Sequence, residues 1–281
     1  ENLNATVTAE GPDPARLGKA LGIPLPHLPP YRLQAQVHRK QEPSGNQTLL
    51  FNNLDGTIGD SDIAGLLRVM TGNARPRVYA RLQSRKLDCD DLAGLIGAPP
   101  DPEETVSAKQ QMQAETFKKR DRVLPDKSIK FSQLQQIDAD VEYRALRVQA
   151  PKLPLDDFIL HLTIHDGRLK MDRLDFGVAQ GTVGITFEID AHDSPVRVKL
   201  MTSAHQVNLS ELLAPYDVAD DSFGTIGGQG TLWMKGESLA QWLASSDGGL
   251  FLTMTGGRLD ALLVELAGLD LDDWQVFSLM V

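Results

Sequence analysis

Short runs in which apolar and polar residues alternate recur along the chain, and a period of two restricts it to strands with one buried face. Tyr31, Leu33, Ala35 and Val37 alternate with Arg32, Gln34 and Gln36. Phe158, Leu160, Leu162 and Ile164 face one way with Asp157, His161 and Thr163 opposite, Ile159 breaking the pattern. Ile185, Phe187 and Ile189 alternate with Thr186, Glu188 and Asp190, and Val196, Val198 and Leu200 with Arg197 and Lys199. Strands of this kind belong to antiparallel sheets that are dry on one side only. The 24 Gly and 16 Pro supply the turns. The expected fold is mainly β with short helices: an elongated, twisted antiparallel β-sheet or groove built from strand-and-helix repeats.

The stretch from Gly228 to Asp260 spells out one unit. Thr231 to Met234 reads as a strand and Ser238 as the N-cap of a helix through Ala244, with Leu239, Trp242 and Leu243 on one face. Asp247-Gly248-Gly249 ends the helix, Leu250 to Thr255 returns as a strand, and Gly256-Gly257 reads as the next turn. Weaker copies precede it. Leu54-Asp55, Gly65, Pro76, Ser84 and Leu92 recur as Leu174-Asp175, Gly184, Pro195, Ser203 and Leu212, with one-residue slips.

Elsewhere, residues 1–9 read as a strand, Asp13 as the cap of a helix ending at Gly22, and Asn208 to Leu213 as another short helix. Thr48 to Leu54, Gly56 to Val69, Arg77 to Leu82, Lys130 to Leu134 and Asp138 to Leu146 read as extended segments, and Asp91 to Ile96 as a short helix. His165-Asp166-Gly167 is a hairpin turn, since Asp-Gly tolerates positive φ. The resulting division is 1–98, a first repeat and a partial one; 99–128, a polar linker rich in Glu, Gln, Lys and Arg; 129–223, a second repeat; and 224–281, a third, truncated one.

With 281 residues and 41% hydrophobic content the chain can bury a sizeable core. A formal charge of -10 opposes a phosphate backbone, so no nucleic acid is expected as a partner. One cysteine excludes an intrachain disulfide framework. The longest apolar runs are too short for a membrane-spanning helix. The sequence begins at Glu1 without methionine and ends within an apolar run, as expected for a piece of a longer protein.

Catalytic or metal chemistry has weak support, and no cofactor, metal or enzymatic activity is expected. His161 and His165 are four apart, which on a helix would point both at one metal, but the alternation makes this a strand running into a turn. Cys89 stands among Asp88, Asp90 and Asp91, which disfavour its thiolate. Those aspartates lack the spacing and closing Glu of a calcium loop and read as helix caps. Gly227-Gly228-Gln229-Gly230 lacks the Lys-Ser/Thr of a phosphate-binding loop and reads as a turn, and Trp233, Trp242 and Trp274 as core or groove rim.

The greasy face of such a sheet is either covered by a second sheet or left open to an apolar ligand. The floor of an open face comprises Phe158, Leu160, Leu162, Ile185, Phe187, Ile189, Val196, Val198 and Leu200. Burial of a chain of ~16 carbons contributes on the order of 12 kcal/mol before ordering costs.

Gly230-Thr231-Leu232-Trp233-Met234-Lys235-Gly236-Glu237-Ser238, Ser246-Asp247-Gly248-Gly249 and Thr255-Gly256-Gly257-Arg258-Leu259 resemble the repeat of the periplasmic part of AsmA-family proteins, as does Leu155 to Gly184. The family's N-terminal membrane helix has no counterpart in this sequence. The resemblance implies a periplasmic segment of a protein anchored in the inner membrane of a Gram-negative bacterium, a β-groove similar to bridge-like lipid transfer proteins. It further implies phospholipid or another acyl-chain lipid as partner, membrane association through parts of the parent outside this sequence, and a role in phospholipid traffic and outer-membrane biogenesis. The alternative expectation is a structural scaffold or assembly factor that pairs its strand edges with outer-membrane protein clients.

Overall fold

The computed structural model describes residues 3–41, 45–96, 131–150, 153–215 and 222–258. The alternating runs form a single sheet: β1 (Leu3–Gly11), β2 (Tyr31–Gln41), β3 (Gln47–Ile58), β4 (Ser61–Thr71), β5 (Arg77–Asp88), β6 (Asp138–Ala150), β7 (Leu153–His165), β8 (Arg168–Val178), β9 (Gly181–Asp190), β10 (Arg197–Asn208), β11 (Phe223–Lys235) and β12 (Asp247–Arg258). Spatial order equals sequence order, and β1 does not meet β12, so the sheet is open.

Every pairing is antiparallel except β5 with β6, which is parallel. A parallel neighbour must begin where β5 began, so the connection crosses between opposite strand ends. Two short 3-10 helices mark those ends, η1 (Cys89–Ile96) after β5 and η2 (Phe131–Gln136) before β6. The expected linker, 99–128, lies outside the described residues.

Three α-helices complete the inventory among the described residues. In α1 (Pro14–Leu21) the Asp13 carboxylate accepts from the Ala15 amide, proline occupies the first turn, and Gly22 closes the helix at φ 69°. Asn208 caps α2 (Leu209–Leu213), and Ser238 caps α3 (Leu239–Ala244), as their sequences lead one to expect. At the β7–β8 hairpin Asp166 and Gly167 take φ 47° and 72°, the left-handed pair that an Asp-Gly turn supplies.

Several readings of the sequence change. Of the strand expected over Lys130 to Leu134, Lys130 lies outside the described residues and Phe131 to Leu134 belongs to η2 instead. Phe131 and Leu134 stand three apart on η2 and pack together against the end of the sheet, so the period there is three. The segment from Gly56 to Val69 is divided by a turn at Gly59-Asp60 into β3 and β4. Gly227-Gly228-Gln229-Gly230 is not a turn but the middle of β11. A side chain at Gly228 would come 2.3 Å from the Phe251 carbonyl oxygen, and the glycine lets β12 approach. Gly256-Gly257 likewise stays within β12.

The internal repeat is a repeat of sheet positions. Leu54 pairs with Gly65 and Val69 with Val78, and Leu174 pairs with Ile185 and Ile189 with Val198 in the same places of the second unit. The one-residue slips belong to the glycine, proline and serine markers; the apolar positions keep step. The two units differ in exit: β6 returns parallel to β5, whereas β11 returns antiparallel to β10.

Candidate functional site

Register sets most of the apolar side chains on one face, with exceptions such as Leu50, Leu66, Tyr79 and Trp233, which take the alternate positions. Across the middle of the sheet Phe51 stands opposite Leu67, Leu67 opposite Ala80, and Ala80 opposite Val141. The row continues through Leu162, Met171, Phe187, Leu200 and Leu232. A neighbouring row runs from Leu54 through Leu82, Tyr143, Leu160, Leu174 and Ile185. At a spacing of about 4.8 Å per strand, the apolar face is ~50 Å long across the strands.

The short helices cover only its two long edges. Along one edge, Ile23 and Ile137 pack on Val69 and Val78, while Phe131 of η2 and Trp242 of α3 pack on Ile189, Val196, Val198 and Met234. The Trp242 ring lies 5.8 Å from Phe131 and 5.6 Å from Phe187, and its indole N–H donates to the Gly236 carbonyl at 3.0 Å. Along the other edge, Cys89 and Leu92 of η1 pack on Leu87 and Val148, and Leu209 and Leu212 of α2 border Val178 and Val207.

Between these rims the floor is about four residues wide, ~13 Å along the strands. Its side chains, Leu162, Leu160, Ile185 and Leu200 among them, are only half-buried, with no second sheet over them among the described residues. The strands, 9 to 13 residues each, exceed the roughly six residues their patterns suggest; the surplus length carries the rims. The result is an apolar trough running across the strands and closed along both sides.

Two polar side chains of the trough floor are tied down by hydrogen bonds within the protein. The Tyr143 hydroxyl donates to Ser84 Oγ at 2.8 Å, and Ser84 donates to the Asp62 carbonyl. Burial pushes the Tyr143 pKa up, so the phenol stays neutral. Its ring packs edge-on against Phe158 at 5.9 Å.

All nine side chains expected at the floor lie on this face, but they divide. Phe158, Leu160, Leu162, Ile185, Phe187 and Leu200 are half-buried, whereas Ile189, Val196 and Val198 are sealed under η2 and α3. Sequence periodicity missed Phe51, Leu67, Val141, Met171, Leu174 and Leu232. Bulges between Phe51 and Leu54 and between Met171 and Leu174 interrupt the alternation there. The repeat carries the missing signal, because Leu67 and Leu54 hold the places of Phe187 and Leu174.

The outer face is polar and laced with ion pairs, such as Arg168 with Asp190 at 2.9 Å and Arg144 with Asp157 at 2.9 Å. Hydrogen bonds from the His192 amide and ring, with the Arg168 guanidinium, hold Asp190 down to about 2 against the effect of burial. Two broad hollows of about 720 and 990 Å³ open on this face, not in the trough. Trp233 lines the first; 53% exposed, it belongs neither to the core nor to a rim.

Cys89 and the aspartates beside it take structural places. Burial and then the Asp88 and Asp90 charges push the Cys89 thiol up. Asp88 accepts from the Asp90 amide, as a cap does. Asp91 reaches back to the β3–β4 turn instead, accepting from the Asp60 amide, the Ser61 amide and the Ser61 hydroxyl at 3.1, 2.9 and 2.5 Å. His161 points from the outer face toward Asp172, and His165 sits in the β7–β8 turn beside Asp138.

The AsmA family model matches residues 20–276. The chain belongs to the AsmA family. It is 27% identical over 258 residues to the AsmA family protein YhjG of Escherichia coli (strain K12), an alignment that covers 91% of this chain and 38% of that protein. The chain therefore spans about two-fifths of this relative's length. No solved structure matches it.

Proposed function

We propose that this AsmA-family segment binds acyl-chain lipid in its trough and conducts it without chemical turnover. The observation that carries the reading is the uninterrupted apolar floor, half-exposed between two rims across a twelve-stranded sheet. Contiguous apolar surface of this extent needs a ligand or partner to cover it. A width of ~13 Å accepts acyl chains side by side, and a length of ~50 Å exceeds any one of them, so lipids can follow one another along it. We place the segment in the periplasm, in a parent anchored in the inner membrane, where it moves phospholipid toward the outer membrane and serves outer-membrane biogenesis.

Native mass spectrometry with lipid extraction tests this reading. The purified chain is expected to carry phospholipid, and Leu162→Asp, which puts a charge on the open floor, to lose most of it while staying folded. A lipid-free chain that also takes up no phospholipid from vesicles overturns the proposal.

One observation favours a second reading. Among the described residues, strand β12 is exposed along its whole length and presents Leu250, Phe251, Leu252 and Met254 at an edge with no further strand paired to it. A scaffold that pairs this edge with unfolded outer-membrane protein strands would bind such polypeptides and carry no lipid.

A further inference from the structure

The outer face of the sheet holds one convergence of metal-ligating groups that lipid binding does not use. Glu142 on β6 stands directly opposite His161 on β7, and Asp140 shares their face two residues along β6. One ligand atom from each of the three lies within 4.8 Å of the others, the single such grouping among the described residues. On the far side of the imidazole, Asp172 of β8 places Oδ1 at 2.7 Å from His161 Nδ1.

That contact determines what the ring offers. A carboxylate only accepts, so Nδ1 carries the proton and, in the neutral ring, Nε2 presents its lone pair on the opposite side. Asp140 Oδ1 lies there, 3.5 Å from Nε2. This is longer than the ~2.7–2.9 Å of a charge-assisted N–H to carboxylate hydrogen bond. It matches the spacing of two ligand atoms bound tetrahedrally to one ion at ~2.0–2.1 Å, which stand ~3.3–3.5 Å apart. A histidine that gives one nitrogen to a metal and the other N–H to an outer carboxylate is the usual way proteins fix such a ligand.

The other charged groups around the site are accounted for. Arg173, opposite His161, is held by Asp175 at 2.7 Å, and Arg144 by Asp157. Arg81 reaches Glu142 at 3.4 Å from a side chain 76% exposed, and it can swing away when a cation takes its place. Glu142, His161 and Asp172 border the larger outer hollow, which leaves room for water to complete the coordination.

We propose that Asp140, Glu142 and His161 bind one divalent transition-metal ion of the zinc class, with Asp172 as a positioning residue. One imidazole and two carboxylates suit such an ion better than magnesium or calcium, which take oxygen ligands throughout. The ion would staple β6 to β7 on the outer face, beside the parallel β5–β6 junction.

Isothermal titration of the chelator-treated chain with zinc chloride tests the assignment, and cobalt(II) absorption reads the coordination. One equivalent is expected to bind with a dissociation constant of about 1 μM. His161→Ala should weaken it at least about 100-fold, and Asp172→Asn, which leaves every ligand in place, about 10–100-fold. His38→Ala, remote from the site, should leave it unchanged. All three substitutions fall on side chains of the outer face, and circular dichroism checks that the sheet persists. No saturable binding below about 1 mM, or equal binding by the His161→Ala chain, overturns the proposal.

Discussion

Trp242 is the side chain on which one rim depends. It is 6% exposed, seated between Phe131 and Phe187, and its indole N–H is committed to the Gly236 carbonyl. Trp242→Ala removes the ring from a packed cluster, a change that costs about 3–5 kcal/mol. It also leaves the Gly236 carbonyl without this donor, worth about 1 kcal/mol more. For a chain of this size the sum lowers the melting temperature by roughly 7–10 °C if the sheet unfolds as a unit. If the units unfold separately, the loss appears locally, as faster amide exchange in α3, η2 and the adjoining ends of β9 to β11. Thermal unfolding followed by circular dichroism, with hydrogen exchange read by mass spectrometry, distinguishes the two. A shift below about 2 °C with unchanged exchange in α3 would refute the view that this ring holds the rim.

Other expectations follow from the same packing. Asp91→Ala leaves the Asp60 amide, the Ser61 amide and the Ser61 hydroxyl without their shared acceptor and should cost about 2–3 kcal/mol in denaturant unfolding; Asp91→Asn, which keeps an acceptor oxygen, should cost less. Gly65 has φ 143°, and a side chain there would come 2.1 Å from the Arg81 carbonyl oxygen, so Gly65→Ala should destabilise the β4–β5 pair by at least about 1 kcal/mol, seen as faster exchange in those strands. Asp190 is held at about 2, below its ordinary 3.8, so its contribution is complete above the ordinary value and is lost as pH falls through about 2. Acid unfolding of Asp190→Asn should therefore depend less on pH across that window than unfolding of the unchanged chain.

Much of this fold was legible in the sequence because one-faced strands must alternate. Tyr31 to Val37 and Gly181 to Asp190 read directly as strands, and Asp13, Asn208 and Ser238 announced their helices through the hydrogen bonds they make. Legibility failed where another constraint outweighed the period. Gly227 to Gly230 looked like a turn because glycine usually marks one, yet here it permits close approach of β12. Phe131 to Gln136 carried too few residues to separate a period of two from one of three. The parallel β5–β6 pair left no local trace, since residues on one strand do not reveal the direction of the next. The floor was legible as a face, but not its division: that Val198 is sealed and Leu200 open depends on where α3 lands, many residues later.

The most direct test of the trough is site-specific photocrosslinking. A benzophenone side chain placed at Leu162 or Leu200 faces the open floor, and at Glu188 or Lys199 it faces outward from the same part of the sheet. With phospholipid vesicles supplied, adducts at both floor positions and none at the outer pair are the predicted result. Equal labelling of both faces, or no lipid adduct at the floor, would contradict it.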